Sequence, residues 1–223
     1  MTQTLDEAKI LEEVVVLLRN SNVLSTTERN VTTTTDTGNI AAGTVTNLPL
    51  ANTAVKNVRS VTVNSVLLTR YTDYTINYDY TANACLITFT TPRTVGHSYS
   101  IQYDYGTDAI FPDYARSDLS IDSFPRMGVD FVDIPSEIGG MGNVNLNRYD
   151  LSIAIYAKKK GDIRIYTKAV RTVIIDNQNL MHYLRTIKPT MTGPILPGSF
   201  ERFKDKVFQR NFDFCSLMNL EVN

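Results

Sequence analysis

A chain of 223 residues with 22 basic and 23 acidic side chains has a net charge of −1, so the molecule as a whole exerts no strong electrostatic pull on nucleic acid or anionic membrane. Hydrophobic residues at 43% and charged residues at 20% exclude a disordered chain. Two cysteines and two histidines exclude a Cys/His structural zinc site within one chain.

Thr4 to Glu7 reads as a T-x-x-E capping box that opens a helix over residues 4–19. Ile10, Val14, Leu17 and Leu18 recur at helical spacing, Leu11 and Val15 widen the stripe, and Asn20-Ser21-Asn22 marks the stop. Residues 25–57 show little periodicity. The spacing predicts a long loop there, or an extended arm that orders against a partner.

Residues 58–105 read as consecutive strands. Val58, Val61 and Val63 open the first, and Asn64-Ser65 is a turn. Tyr74, Ile76 and Tyr78 then alternate with polar residues, as do Cys85, Ile87 and Phe89. Tyr99, Ile101, Tyr103 and Tyr105 alternate with Ser98, Ser100, Gln102 and Asp104, which predicts an antiparallel meander with one aromatic, buried face. Absent Trp, abundant Tyr and over-used Thr bias the chain the same way.

Residues 107–122 read as a polar linker and 126–134 as a strand. Pro135 to Asn147 reads as a flexible loop holding Gly139, Gly140 and Gly142, and 148–157 as a clear strand ended by Lys158, Lys159 and Lys160. A second helix is predicted from Asp162 as N-cap to about Leu184, with Ile163, Tyr166, Val170, Val173 and Ile174 on its apolar face. A proline-containing loop leads to a last strand, in which Phe208, Phe212 and Phe214 oppose Gln209, Asn211 and Asp213.

The expected fold class is α+β: a small mixed or antiparallel sheet with two helices packed on it, interrupted by an all-β, sandwich-like insertion. Residues 1–30 with 108–223 form the core, and 31–107 form the insertion with its extended arm. Removing the insertion leaves about 146 residues, a usual size for one domain. Insertion at a loop is thermodynamically mild, because closure entropy grows slowly with length.

No catalytic constellation emerges. No Ser or Cys stands in a nucleophile elbow, and His97 and His182 are isolated. Gly139-Gly140-Met141-Gly142 leads into a strand instead of the helix N-terminus that phosphate binding requires. No catalytic residue, metal site or cofactor is expected. Cys85 and Cys215 read as reduced, buried thiols, the N-terminus carries no secretory signal, and the longest apolar run, Val14 to Leu18, is far too short for a membrane span. The most basic stretch is Lys158, Lys159 and Lys160 with Arg164, Lys168 and Arg171. The last three form one stripe opposite the apolar face, read either as a solvated surface or as an intersubunit or DNA-facing patch without sequence readout. The tyrosines of 99–105 read as core, with a carbohydrate platform as the alternative.

Residues 148–175 (RYDLSIAIYAKKKGDIRIYTKAVRTVII) resemble the strand, basic turn and amphipathic helix of the tail-terminator and head–tail joining proteins of tailed bacteriophages. The closing segment FQRNFDFCSL (208–217) resembles that family's returning strand, and residues 61–105 are similar to small β modules of phage structural proteins. The resemblance implies a virion protein, assembled in the host cytoplasm, that forms a hexameric ring. Its partners would be copies of itself, the tail tube protein and a neck or connector protein, with transient non-specific contact with passing DNA. The interface residues would include the six cations named above and Gly139, Gly140 and Gly142. The β insertion departs from the compact family members, so terminator, stopper and connector roles all stay open. A different class of function, a β-rich adhesin module recognising a carbohydrate or host surface, is the alternative.

Overall fold

The computed structural model describes residues 7–79, 84–112, 124–139, 145–197 and 207–219. In chain order the elements are α1 (Glu7–Asn20), α2 (Thr26–Arg29), β1 (Val31–Asn39), β2 (Asn47–Pro49), β3 (Val55–Val63), β4 (Val66–Leu67), β5 (Tyr74–Asp79), β6 (Ala84–Phe89), β7 (Ser98–Gly106), β8 (Ile110–Pro112), β9 (Arg126–Gly139), β10 (Asn145–Ala157), α3 (Lys160–Asp176), β11 (Arg185–Thr192), β12 (Leu196–Pro197) and β13 (Phe208–Asn219). Thirteen strands in three sheets against three α-helices, among the described residues, make a β-rich chain, which overturns the expected α+β class of two helices on one small sheet. The surplus strands come from polar stretches whose weak alternation hides them. These are the threonines of β1 at a sheet edge and the segment 185–192, where Ile187 is buried and Lys188 to Thr192 are exposed.

The chain divides into two units, Met1–Arg29 with Ala109–Asn223, and Asn30–Asp108. In the first, one sheet runs in the order β11-β13-β10-β9-β8, antiparallel except for the parallel β8–β9 pair, with β12 beside β13. Ile10, Val14 and Leu18 of α1, Ile163, Val170 and Ile174 of α3, and Val129, Leu151, Ile153, Ile155, Phe212 and Phe214 of the sheet share one core. Alternate residues of each strand therefore face the helices, and the intervening ones face away.

The ends of α1 and α2 follow from local chemistry. Asn22 takes a left-handed φ of 50°. The Val23 N–H bonds the Leu18 carbonyl at 3.3 Å and the Asn22 N–H bonds that of Arg19 at 3.2 Å, the 6→1 and 5→2 pattern that closes a helix. At α2, Ser25 and Glu28 form a capping box: the Glu28 N–H donates to Ser25 Oγ at 3.3 Å and the Ser25 N–H to Glu28 Oε2 at 2.8 Å. α3 begins at Lys160 with Lys159 as N-cap and no capping side chain, so Asp162 lies within the first turn and is not the cap. It ends at Asp176 instead of near Leu184, and the sequence beyond forms a 3-10 turn and then β11.

In the second unit, an antiparallel sheet β1-β7-β3-β4 and a second, β2-β6-β5, close on one core of Val58, Val61, Ile87, Phe89, Ile101 and Tyr103. Residues 25–57 are thus not a loop but α2, β1, β2 and the start of β3. Asn64 and Ser65 join β3 to β4 with φ of 49° and 65°, the twist a two-residue hairpin needs. The chain enters and leaves this unit side by side. Val31 registers with Gly106, the Thr107 N–H bonds the Asn30 carbonyl at 3.3 Å, and Asn30 Nδ2 bonds Thr107 Oγ1 at 3.1 Å. Gly106 has φ +136°, and a Cβ there would lie 2.6 Å from the Asn30 carbonyl oxygen.

Candidate interaction surfaces

α3 sorts its residues cleanly. Ile163, Thr167, Val170 and Ile174 are buried, while Arg164, Lys168 and Arg171, spaced by four and three, are exposed, as are Lys160 at the first position of the helix and Lys158 and Lys159 before it. The six cations form one surface at the start and along the solvent side of the helix. Asp162 and Asp176 are the acidic residues on the same element. Ile165 stands beside the stripe with 66% of its surface exposed.

The glycines belong to a different place. Gly139 is the last residue of β9, which with β10 extends a hairpin where the sequence predicts a loop from Pro135 to Asn147, and Gly140 and Gly142 lie outside the described residues. The tyrosines of β7 form no platform. Tyr103 is fully buried, Tyr99 and Tyr105 pack against the same core, and the Tyr103 hydroxyl donates to Asp36 Oδ1 at 3.0 Å while accepting from Asn52 Nδ2 at 2.8 Å.

Two carboxylates fasten the helices of the first unit. Glu13 of α1 is 7% exposed and accepts the backbone N–H groups of His182 and, at 2.9 Å, Tyr183. Burial pushes its carboxyl above the ordinary value, and the hydrogen bonds only partly offset that. Glu28 accepts the Tyr166 hydroxyl at 2.5 Å, joining α2 to α3. Partial burial opposes its ionisation, but the bonds from Tyr166 and Ser25 outweigh that and hold it below its usual range. Tyr166 is pushed up, by burial first and then by its bond to the Glu28 carboxylate. Both carboxylates fasten backbone and helices in ways that need no ligand.

The sheet face turned away from α1 and α3, which the sequence reading missed, is buried along its middle at Ser152, Ala154 and Tyr156. Asp130, Ser152 and Asp213 form one row across β9, β10 and β13, and Asp150 sits opposite Cys215 in the next. The three aspartates are half-buried, and Ser152 donates to Asp213 Oδ1 at 2.6 Å. Lys188, opposite Cys215, and Arg126, opposite Tyr156, are cations on this face. Val132 and Met191, each 59% exposed, flank the aspartates. At the other end Val207 and Phe124 pack with Ala154 and Tyr156, and the Arg126 guanidinium stacks on the Phe124 ring at 4.9 Å. The alternation puts Asp130, Asp150 and Asp213 in the out-of-core phase of three strands, but only the register brings them together.

Among the described residues no three His, Cys, Asp or Glu side chains are placed to hold a metal ion, and no helix is long and apolar enough to cross a membrane. No family model matches the chain, and no curated protein sequence matches it.

Proposed function

We propose that this chain is a structural protein of a tailed-phage virion that acts in the neck or tail as a ring of about six copies, capping the tail tube and joining it to the head connector. The observation that carries this reading is the α3 surface. Six exposed cations, Lys158 and Lys159 just before α3 and Lys160, Arg164, Lys168 and Arg171 on it, stand at a helix whose other face is anchored in the core of the first unit, with the Lys160 ammonium over the Phe208 ring at 5.3 Å. Such a surface serves contact with a protein neighbour and, at a near-neutral net charge, leaves passing DNA free to slide. The long β9–β10 hairpin and the nine-residue edge strand β1 offer further surfaces for neighbours. Imaging purified protein alone and after incubation with tail tubes tests the reading. Closed rings that cap tube ends support it, and a monomer that ignores the tubes overturns it.

A further inference from the structure

The four-stranded sheet of the second unit has two edges of unlike character. The β3 edge is guarded. β3 carries two register shifts, between Val55 and Asn57 and between Val58 and Ser60, bears Lys56 and Arg59, and has β4 laid along its end. Bulges and charges of this kind keep other strands away. The β1 edge has neither. Its nine residues run beside β7 without a register shift, and it holds no proline and no basic residue. Its one charge, Asp36, is already occupied, since the carboxylate accepts the Tyr103 hydroxyl at 3.0 Å and the Ala51 N–H at 2.8 Å. We propose that β1 pairs antiparallel with β1 of a second copy of this chain, about a two-fold axis at Thr35. The inference goes beyond the ring reading and does not depend on it.

The ladder fixes which groups β1 offers. The Ile40 N–H bonds the His97 carbonyl at 2.8 Å, and the Thr107 N–H bonds the Asn30 carbonyl at 3.3 Å. With the register between them unbroken, the even-numbered positions of β1 bond β7, and the odd-numbered ones turn N–H and C=O to the open edge. These are Val31, Thr33, Thr35, Thr37 and Asn39, and among the described residues no strand or backbone group bonds them from that side. The three threonines and Asn39 are exposed. Open backbone along a whole strand calls for another strand, and the side chains say which. With Thr35 opposite its own copy, Thr33 meets Thr37 and Val31 meets Asn39, so the full strand overlaps and every outward N–H and C=O is satisfied. Threonine pairs fill the solvent face, and Asp36 falls opposite Thr34, so no like charges meet. Other registers do worse. Centring on Asp36 sets two aspartates opposite each other, centring on Thr34 leaves Asn39 unpaired, and a one-residue slip sets outward groups against positions already bonded to β7.

Cysteine cross-linking of the full chain tests this, in a Cys215→Ser background that leaves only the buried Cys85. Opposed residues in such a pair have Cα atoms about 5.5 Å apart, within a disulfide's reach, whereas Thr33 and Thr37 each lie about 14 Å from their own copies. On mild oxidation Thr35→Cys is expected to run as a dimer on a non-reducing gel. Thr33→Cys and Thr37→Cys, each with the wild-type circular dichroism, cross-link at least about tenfold less when alone, and an equimolar mixture of the two gives the dimer again. Thr35→Lys, at an exposed side chain, keeps the fold and sets two lysines on the axis, which weakens pairing in sedimentation by at least about tenfold. No dimer from Thr35→Cys, or equal cross-linking by all three single variants, overturns the pairing. A six-copy ring without the Thr35 cross-link overturns it and leaves the ring reading standing, while cross-linked pairs that close into no ring support it and count against the ring. Cross-linking of Thr35→Cys to a tail tube protein in place of its own copy also overturns the proposal.

Discussion

Replacing Glu13 by alanine removes the acceptor for two backbone N–H groups, those of His182 and Tyr183, from a site where the carboxylate is 7% exposed. Each orphaned donor at this part-buried site costs about 1–3 kcal/mol, and release of a desolvated carboxylate returns part of that. The net expectation is a loss of about 2 kcal/mol, or roughly 4–8 °C in melting temperature for a chain of this size. The pH dependence carries a sign. Burial raises the folded-state pKa of Glu13 above 4.5, so its contribution is fully present below that pH and declines as pH rises through the folded-state value. The alanine variant lacks this slope, and its deficit is therefore widest at acid pH and narrows toward neutrality. Urea titrations followed by far-UV circular dichroism at several pH values read both effects. An unchanged midpoint, or a deficit that widens as pH rises, would refute the reasoning.

Tyr166→Phe should cost about 1 kcal/mol by removing the hydroxyl bond to Glu28. Because the Glu28 pKa is lowered below 4.5, that difference is present above pH 4.5 and vanishes as pH falls through the folded-state value, which thermal melts in acid will show. Gly106→Ala should destabilise by roughly 1–3 kcal/mol or more, since its φ of +136° disfavours a side chain and the new Cβ meets the Asn30 carbonyl; calorimetry reads the loss. Arg59→Met should cost about 3 kcal/mol, because Arg59 Nε lies 2.7 Å from Asp104 Oδ1 and Asp104 is fully buried. Urea unfolding checks this, and the bonds Asp104 keeps from Thr33 and Asn57 set the upper limit.

The strongly patterned elements were legible in the sequence because a buried face leaves a periodic trace. Ile10, Val14 and Leu18, the alternating Ile101 and Tyr103, and Phe212 with Phe214 all lie where their spacing places them. The stop at Asn20-Ser21-Asn22 was legible because it has a mechanism. What escaped notice carries a weaker signal. β1 is an edge strand whose threonines are exposed at all but Thr34, so no apolar alternation marks it. Its neighbour α2 is too short for periodicity, although Ser25 and Glu28 spell the capping box in plain sight. β11 follows a 3-10 turn that keeps helical spacing going past Asp176, which is why the spacing predicts too long a helix. These missed strands are what make the chain β-rich instead of α+β. Of the candidate surfaces, the α3 stripe could be read from spacing alone. The acidic sheet face could not, since its aspartates lie on three strands whose register only the fold supplies.

The account turns on self-assembly, and the mass of the native particle measures it most directly. Native mass spectrometry of the purified 25.0 kDa chain at low ionic strength should show a closed oligomer of about six copies, with no open-ended ladder of sizes. A single monomeric species at every concentration would contradict it.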